Sequence, residues 1–181
     1  MSDAPFKVFF ICTGNSARSQ MAEGLANHLG GGRIEAHSAG TMPAGVSGYA
    51  VAVMRERGID ISRHFSKRID EVPGPFDLVV TLCDSAAMLC PVSVRAYPME
   101  HWSTPDPTWA PGGPDAVHRA FGEVRDRLEA QIVALIEKVR PARAPARGEG
   151  VHPLDDGPAP AARGPMSLPR LGRFRKKLVP R

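Results

Sequence analysis

Cys12 stands where the apolar run KVFFI stops, and Thr13, Gly14, Asn15, Ser16 and Ala17 follow it before Arg18 and Ser19. Small residues in such a loop leave successive backbone amides free to curl around an oxyanion, and a helix beginning there adds partial positive charge. The same field stabilises a thiolate, the form of cysteine that attacks. Arg18 offers a planar fork to two oxygens of a tetrahedral anion, which a lysine cannot match. Ser19 can donate a hydrogen bond to the sulfur. Cys12 is therefore the expected nucleophile, and Thr13, Gly14, Asn15, Ser16, Ala17, Arg18 and Ser19 are the expected substrate-binding residues.

Two further thiols, Cys83 and Cys90, lie seven residues apart in TLCDSAAMLCPV. If DSAAML is helical, the two side chains share a face but lie about 10.5 Å apart along the axis. A disulfide needs Cα atoms within about 7 Å, so this pair can bond only if the segment unwinds. Pro91 disfavours helical geometry at Cys90, which leaves that end of the helix weak. Redox chemistry and a local conformational switch would then be one event. Zinc sites favour closer cysteine spacing and four donors, and no second CxxC or HxxxH is present, so no metal site is expected. Asp106, followed by Pro107, reads on its own as an ordinary turn.

The elements that must position these groups alternate in type. Lys7 to Ile11 and the stretch PFDLVVTLC read as apolar strands, each closing on a cysteine; the sequence around IEAHSAG gives another, and VRAYPM a further one. Helical stripes run through Met21, Leu25 and Leu29, through Val46, Tyr49, Ala50, Val53 and Met54, and through Phe121, Val124, Leu128, Ile132, Leu135 and Ile136. Strands with few polar residues want cover on both faces, which predicts an α/β three-layer sandwich around a central parallel sheet. Ligands of such sheets bind outside the carboxyl ends of the strands. Cys12 and Cys83 should therefore open on one rim and face one pocket.

The chain of 181 residues, 43% hydrophobic, suits one domain with a sizeable core. Its charge of +4 is uneven: residues 141–181 hold nine Lys or Arg against three acids, leaving 14 basic and 16 acidic residues elsewhere. Eight of the 18 prolines also fall in that stretch. The expectation is a catalytic domain over 1–140 and a Pro/Arg-rich disordered tail over 141–181. The tail cluster RLGRFRKK has Phe174 as its single aromatic, so nucleic-acid binding is not expected. The start, MSDAPFKVFF, does not read as a signal peptide, no run is long enough for a membrane span, and an odd cysteine count argues against a disulfide framework. A cytoplasmic protein is the expectation.

The C-x5-R-S pattern at a strand end resembles the signature loop of the low-molecular-weight protein tyrosine phosphatase fold. CTGNSARSQMAEG is similar, more particularly, to the arsenate reductases built on that fold, and with Cys83 and Cys90 to the thioredoxin-coupled ones, over roughly Lys7 to Val139. The resemblance implies that Cys12 attacks arsenate, that Asp106 is the general acid, and that a Cys12 to Cys83 disulfide passes on to Cys83 and Cys90. It also implies thioredoxin as the external reductant, with no tightly bound cofactor. A phosphatase acting on phosphotyrosine or small phosphate esters is the alternative; Thr108 and Trp109 stand where such enzymes usually carry tyrosines. Asn15, Glu23 and Ser38 match positions that, in some members, hold a monovalent cation, but Lys67 replaces a carboxylate there. Lys67 is either a surface lysine or an ammonium standing in for the cation.

Overall fold

The computed structural model describes residues 4–139; the expected tail lies outside the described residues. Four parallel strands, β1 (Phe6–Cys12), β2 (Ile34–Gly40), β3 (Leu78–Thr81) and β4 (Met99–His101), form one sheet in the order β2-β1-β3-β4. The helices are α1 (Arg18–Gly30), α2 (Gly48–Arg55), α3 (Asp84–Leu89), α4 (Val92–Arg95) and α5 (Gly113–Lys138), with 3-10 turns at Ile69–Glu71 and Pro107–Trp109.

Strand β1 is apolar throughout its middle because both of its faces are covered. Val8 and Phe10 point into a core built with α1, α2 and α5, while Phe9 and Ile11 point into a second core with Ile69, Ala86 and Val94. All four are fully buried, a contribution of about 1.5–3 kcal/mol for each side chain. The predicted stripe of α5, from Phe121 to Ile136, is the buried face of that helix. These are the three layers the strand pattern implies. Among the described residues, no helix is long and apolar enough to cross a membrane.

Parallel pairing puts the strand ends on one rim. Cys12 pairs with Gly40, Ile11 with Thr81, and Thr81 with His101. One element departs from expectation. VRAYPM is not a strand: Val92–Arg95 is a helical turn, and the fourth strand starts only at Met99. Pro91, with φ of −58°, seeds the turn, and its carbonyl accepts from the amides of Val94 and Arg95. Pro98 has no N–H to give a ladder and contributes only its carbonyl, to the Val79 amide. Val94 thus packs into the second core from a helix.

Candidate functional site

The Cys12 sulfur lies at the mouth of the loop formed by residues 13–17, between β1 and α1. It receives the Asn15 amide at 3.2 Å and lies 2.9 Å from Ser19 Oγ. The Asn15 side-chain amide already donates to Ser19 Oγ at 2.9 Å, so the serine keeps its own proton for the sulfur. That Asn15 amide also donates to Ser38 Oγ at 2.8 Å, and Ser38 donates in turn to Glu23. Hydrogen bonds therefore link Cys12 through Ser19, Asn15 and Ser38 to a carboxylate, with the Asn15 side-chain amide donating toward both ends.

Asn15 carries the strain of the loop, with φ of 43°, a left-handed conformation that few residues other than glycine and asparagine adopt readily. Its surroundings hold it there. Its Oδ1 accepts from Gln20 Nε2 at 3.0 Å and from the Lys67 amide at 2.7 Å, and its carbonyl accepts from Ser66 Oγ at 2.6 Å. Gly40, opposite Cys12 in the sheet, lets the loop come close: a Cβ there would meet Thr13 O at 2.5 Å and Asn15 N at 2.7 Å. Sequence reasoning had not singled out Gln20, Ser66 or Gly40. The one local signal was a glycine closing the strand next to that of the cysteine.

Arg18 is buried, with 8% of its side chain exposed, and its fork is held by Thr104 O at 3.1 Å and Asp106 Oδ2 at 2.6 Å. This brings Asp106 over the loop that Cys12 opens. The other oxygen of Asp106 accepts from the Thr108 amide at 3.0 Å and so caps the 3-10 turn. The ordinary turn is therefore present, and it is built around the residue that the resemblance makes the general acid. Trp109 extends from it 82% exposed, on the wall of a cavity of about 320 Å³ that also borders Asp106.

Cys83 follows β3 by two residues, and its sulfur lies 3.3 Å from the hydroxyl of Thr13, the neighbour of Cys12. The expected shared rim is thus present for two of the three thiols. Cys90 is turned inward: it ends α3, is 4% exposed, and packs in the second core with Phe76 and Val94, a core that Cys83 also borders. DSAAML is helical between the two, as the geometric argument requires. Burial pushes the Cys90 thiol above its ordinary pKa, with the Arg95 guanidinium pulling weakly the other way.

Lys67 is not a plain surface lysine. Its side chain is only 15% exposed, and its ammonium stands 3.4 Å from Glu23 Oε2, 3.5 Å from Phe65 O and 4.8 Å from the centre of the Phe65 ring. Glu23, the carboxylate among the positions expected to hold a monovalent cation, already faces a positive charge, which disfavours a second cation there. Among the described residues no group of three His, Cys, Asp or Glu side chains is placed to hold a metal ion.

The chain is similar to known proteins. The arsenate reductase of Bacillus licheniformis is 42% identical over 131 residues, which is 72% of this chain and 94% of that relative. The arsenate reductase of Bacillus subtilis is 43% identical over 122 residues, 67% of this chain and 88% of that relative. A solved arsenate reductase in the phosphate binding state superposes with a TM-score of 0.64 at 36% identity, covering 75% of this chain and 99% of that one. Residues 7–144 match the low molecular weight phosphotyrosine protein phosphatase family, and the chain belongs to that family.

Proposed function

We propose that this protein reduces arsenate to arsenite through a thiol relay. The observation that carries the reading is the 3.3 Å contact of Thr13 with Cys83, which puts a second thiol beside an anion loop that already has its nucleophile. A phosphatase has no use for that thiol. The arsenate reductases among the relatives support the same choice of substrate.

In the first step the Cys12 thiolate attacks arsenic, an oxygen departs as water with a proton that Asp106 takes up and delivers once Arg18 turns from it to the substrate, and a cysteine–arsenic(V) adduct remains. Arg18 and the loop amides hold the other oxygens. The Cys83 thiolate then attacks the Cys12 sulfur. The sulfur–arsenic bond breaks, its electron pair stays on arsenic, and arsenite leaves a Cys12 to Cys83 disulfide behind. Cys90 next attacks Cys83 and releases the Cys12 thiolate, which requires α3 to unwind because the two thiols flank the intact helix at its opposite ends. A dithiol protein of the thioredoxin class reduces the Cys83 to Cys90 disulfide, so two thiols are oxidised for each two-electron reduction of arsenic.

The ammonium of Lys67 fills, for Glu23, the role a bound cation would have. A phosphatase activity on small esters is the second reading, favoured by the family match and by the cavity beside Asp106. The test is arsenate-dependent NADPH oxidation coupled through thioredoxin and its reductase. Wild type turns over, whereas C83S and C90S stop after one arsenite or fewer per chain while keeping any ester hydrolysis. Equal arsenate turnover in all three would overturn the relay.

A further inference from the structure

The end of α3 lacks the usual closing device. Helices commonly finish in a left-handed residue, whose amide and the next one bond back to the last carbonyls. Here Cys90 is extended, with φ of −63° and ψ of 127°, and the residue after it is Pro91, which has no amide proton. Arg95 supplies the missing donors from its side chain: Nε to the Cys90 carbonyl at 3.0 Å and Nη2 to the Met88 carbonyl at 2.8 Å. A cation at this end of a helix also meets the negative pole of its dipole.

Arg95 is itself fixed to a part of the fold that need not move. The preceding residue, Val94, is anchored in the second core, to which Phe9, Ile11 and Val79 of the sheet belong. The guanidinium therefore reaches from a seated turn onto the carbonyls of the turn that must melt. Both bonds are lost when α3 unwinds.

We infer that Arg95 is a latch on the redox helix: a positioning residue that keeps Cys90 withheld in the resting protein and sets how readily it is released toward Cys83. The inference rests on the relay proposed above for its purpose, but not for its test. When the latch opens, the Cys90 thiolate attacks Cys83, the bond from Cys83 to Cys12 breaks, Cys12 leaves as a thiolate and the Cys90 proton goes to solvent. No further oxidant or reductant is needed.

The experiment labels the full chain, reduced and without arsenate, with iodoacetamide and follows each cysteine by peptide mass spectrometry. Rates are compared at their high-pH limit, so that loss of the guanidinium's effect on thiolate formation does not enter. R95A should raise the limiting rate at Cys90 about five- to tenfold, the worth of one part-buried and one exposed charge-assisted bond, and leave Cys12 unchanged. R95K keeps the charge without the planar fork and should raise it at least twofold; it carries the test if R95A does not fold. An unchanged Cys90 rate, or Cys12 and Cys90 accelerating together as in general loosening, would overturn the latch. Failure of the relay would show separately, as absence of a Cys83 to Cys90 disulfide after arsenate.

Discussion

Replacing Gly40 with alanine sets a methyl group against the backbone of the anion loop. Its Cβ would lie 2.5 Å from Thr13 O, 2.7 Å from Asn15 N and 3.0 Å from Asn15 Cβ, none of which is the free end of a flexible side chain. Restoring an ordinary separation of about 3.4 Å requires the strand and loop to part by roughly 0.9 Å. Gly40 cannot retreat easily, since its amide is tied to Lys67 O at 2.9 Å and it pairs with Cys12. The Thr13 carbonyl is likewise held by the Met42 amide at 2.8 Å. Overpacking of this kind costs about 1–3 kcal/mol, which for a domain of this size lowers the melting temperature by roughly 3–5 °C per kcal/mol. The larger effect is on chemistry, because a displacement of about 1 Å at the reacting groups costs on the order of 100-fold in rate. Thermal melts and coupled arsenate turnover measure both. A G40A protein with wild-type kcat/KM would refute the argument that this close approach shapes the loop, even if its melting temperature fell.

K67A should lower arsenate turnover several-fold by leaving Glu23 without its cation, whereas wild type should turn over equally in sodium and potassium buffers; steady-state assays in both salts read this out. Arg125, buried between α2 and α5, bonds Glu56 at 2.7 Å, Asp126 at 2.8 Å and Val53 O at 2.7 Å. Its hydrogen bonds are the main cause holding both carboxyls below their ordinary values of 4.5 and 3.8. The folded state thus binds these protons less readily than the unfolded chain, so the stabilisation is present above those values and lost as pH falls through the depressed folded ones. Melting temperatures should be level near neutrality and fall below about pH 4.5, and E56Q should shallow that fall.

Much of this was legible in the chain because periodicity and position carry it. The run KVFFI, apolar at every residue but Lys7, could only be a strand covered on two faces, and its parallel neighbour had to end on the same rim, which located Cys83 relative to Cys12. The stripe of α5 was readable residue by residue. VRAYPM failed because its apolar alternation suits a strand while Pro91 and Pro98 decide otherwise by geometry and by the N–H groups they lack. The shell around Asn15 was partly hidden for a different reason. Gln20, Ser66 and Gly40 act through contacts across 5 to 51 residues of sequence that no local pattern encodes. Lys67 was ambiguous in sequence because its partner, Glu23, is 44 residues away, and only their approach decides whether the ammonium is solvated.

The relay is tested most directly by mapping disulfides after one equivalent of arsenate is added to reduced protein with no donor present. Wild type should yield one arsenite and a Cys83 to Cys90 bond, with Cys12 still free to be alkylated; C90S should yield one arsenite and a Cys12 to Cys83 bond. Arsenite formed with all three thiols still reduced, or a bond joining Cys12 directly to Cys90 in wild type, would contradict it.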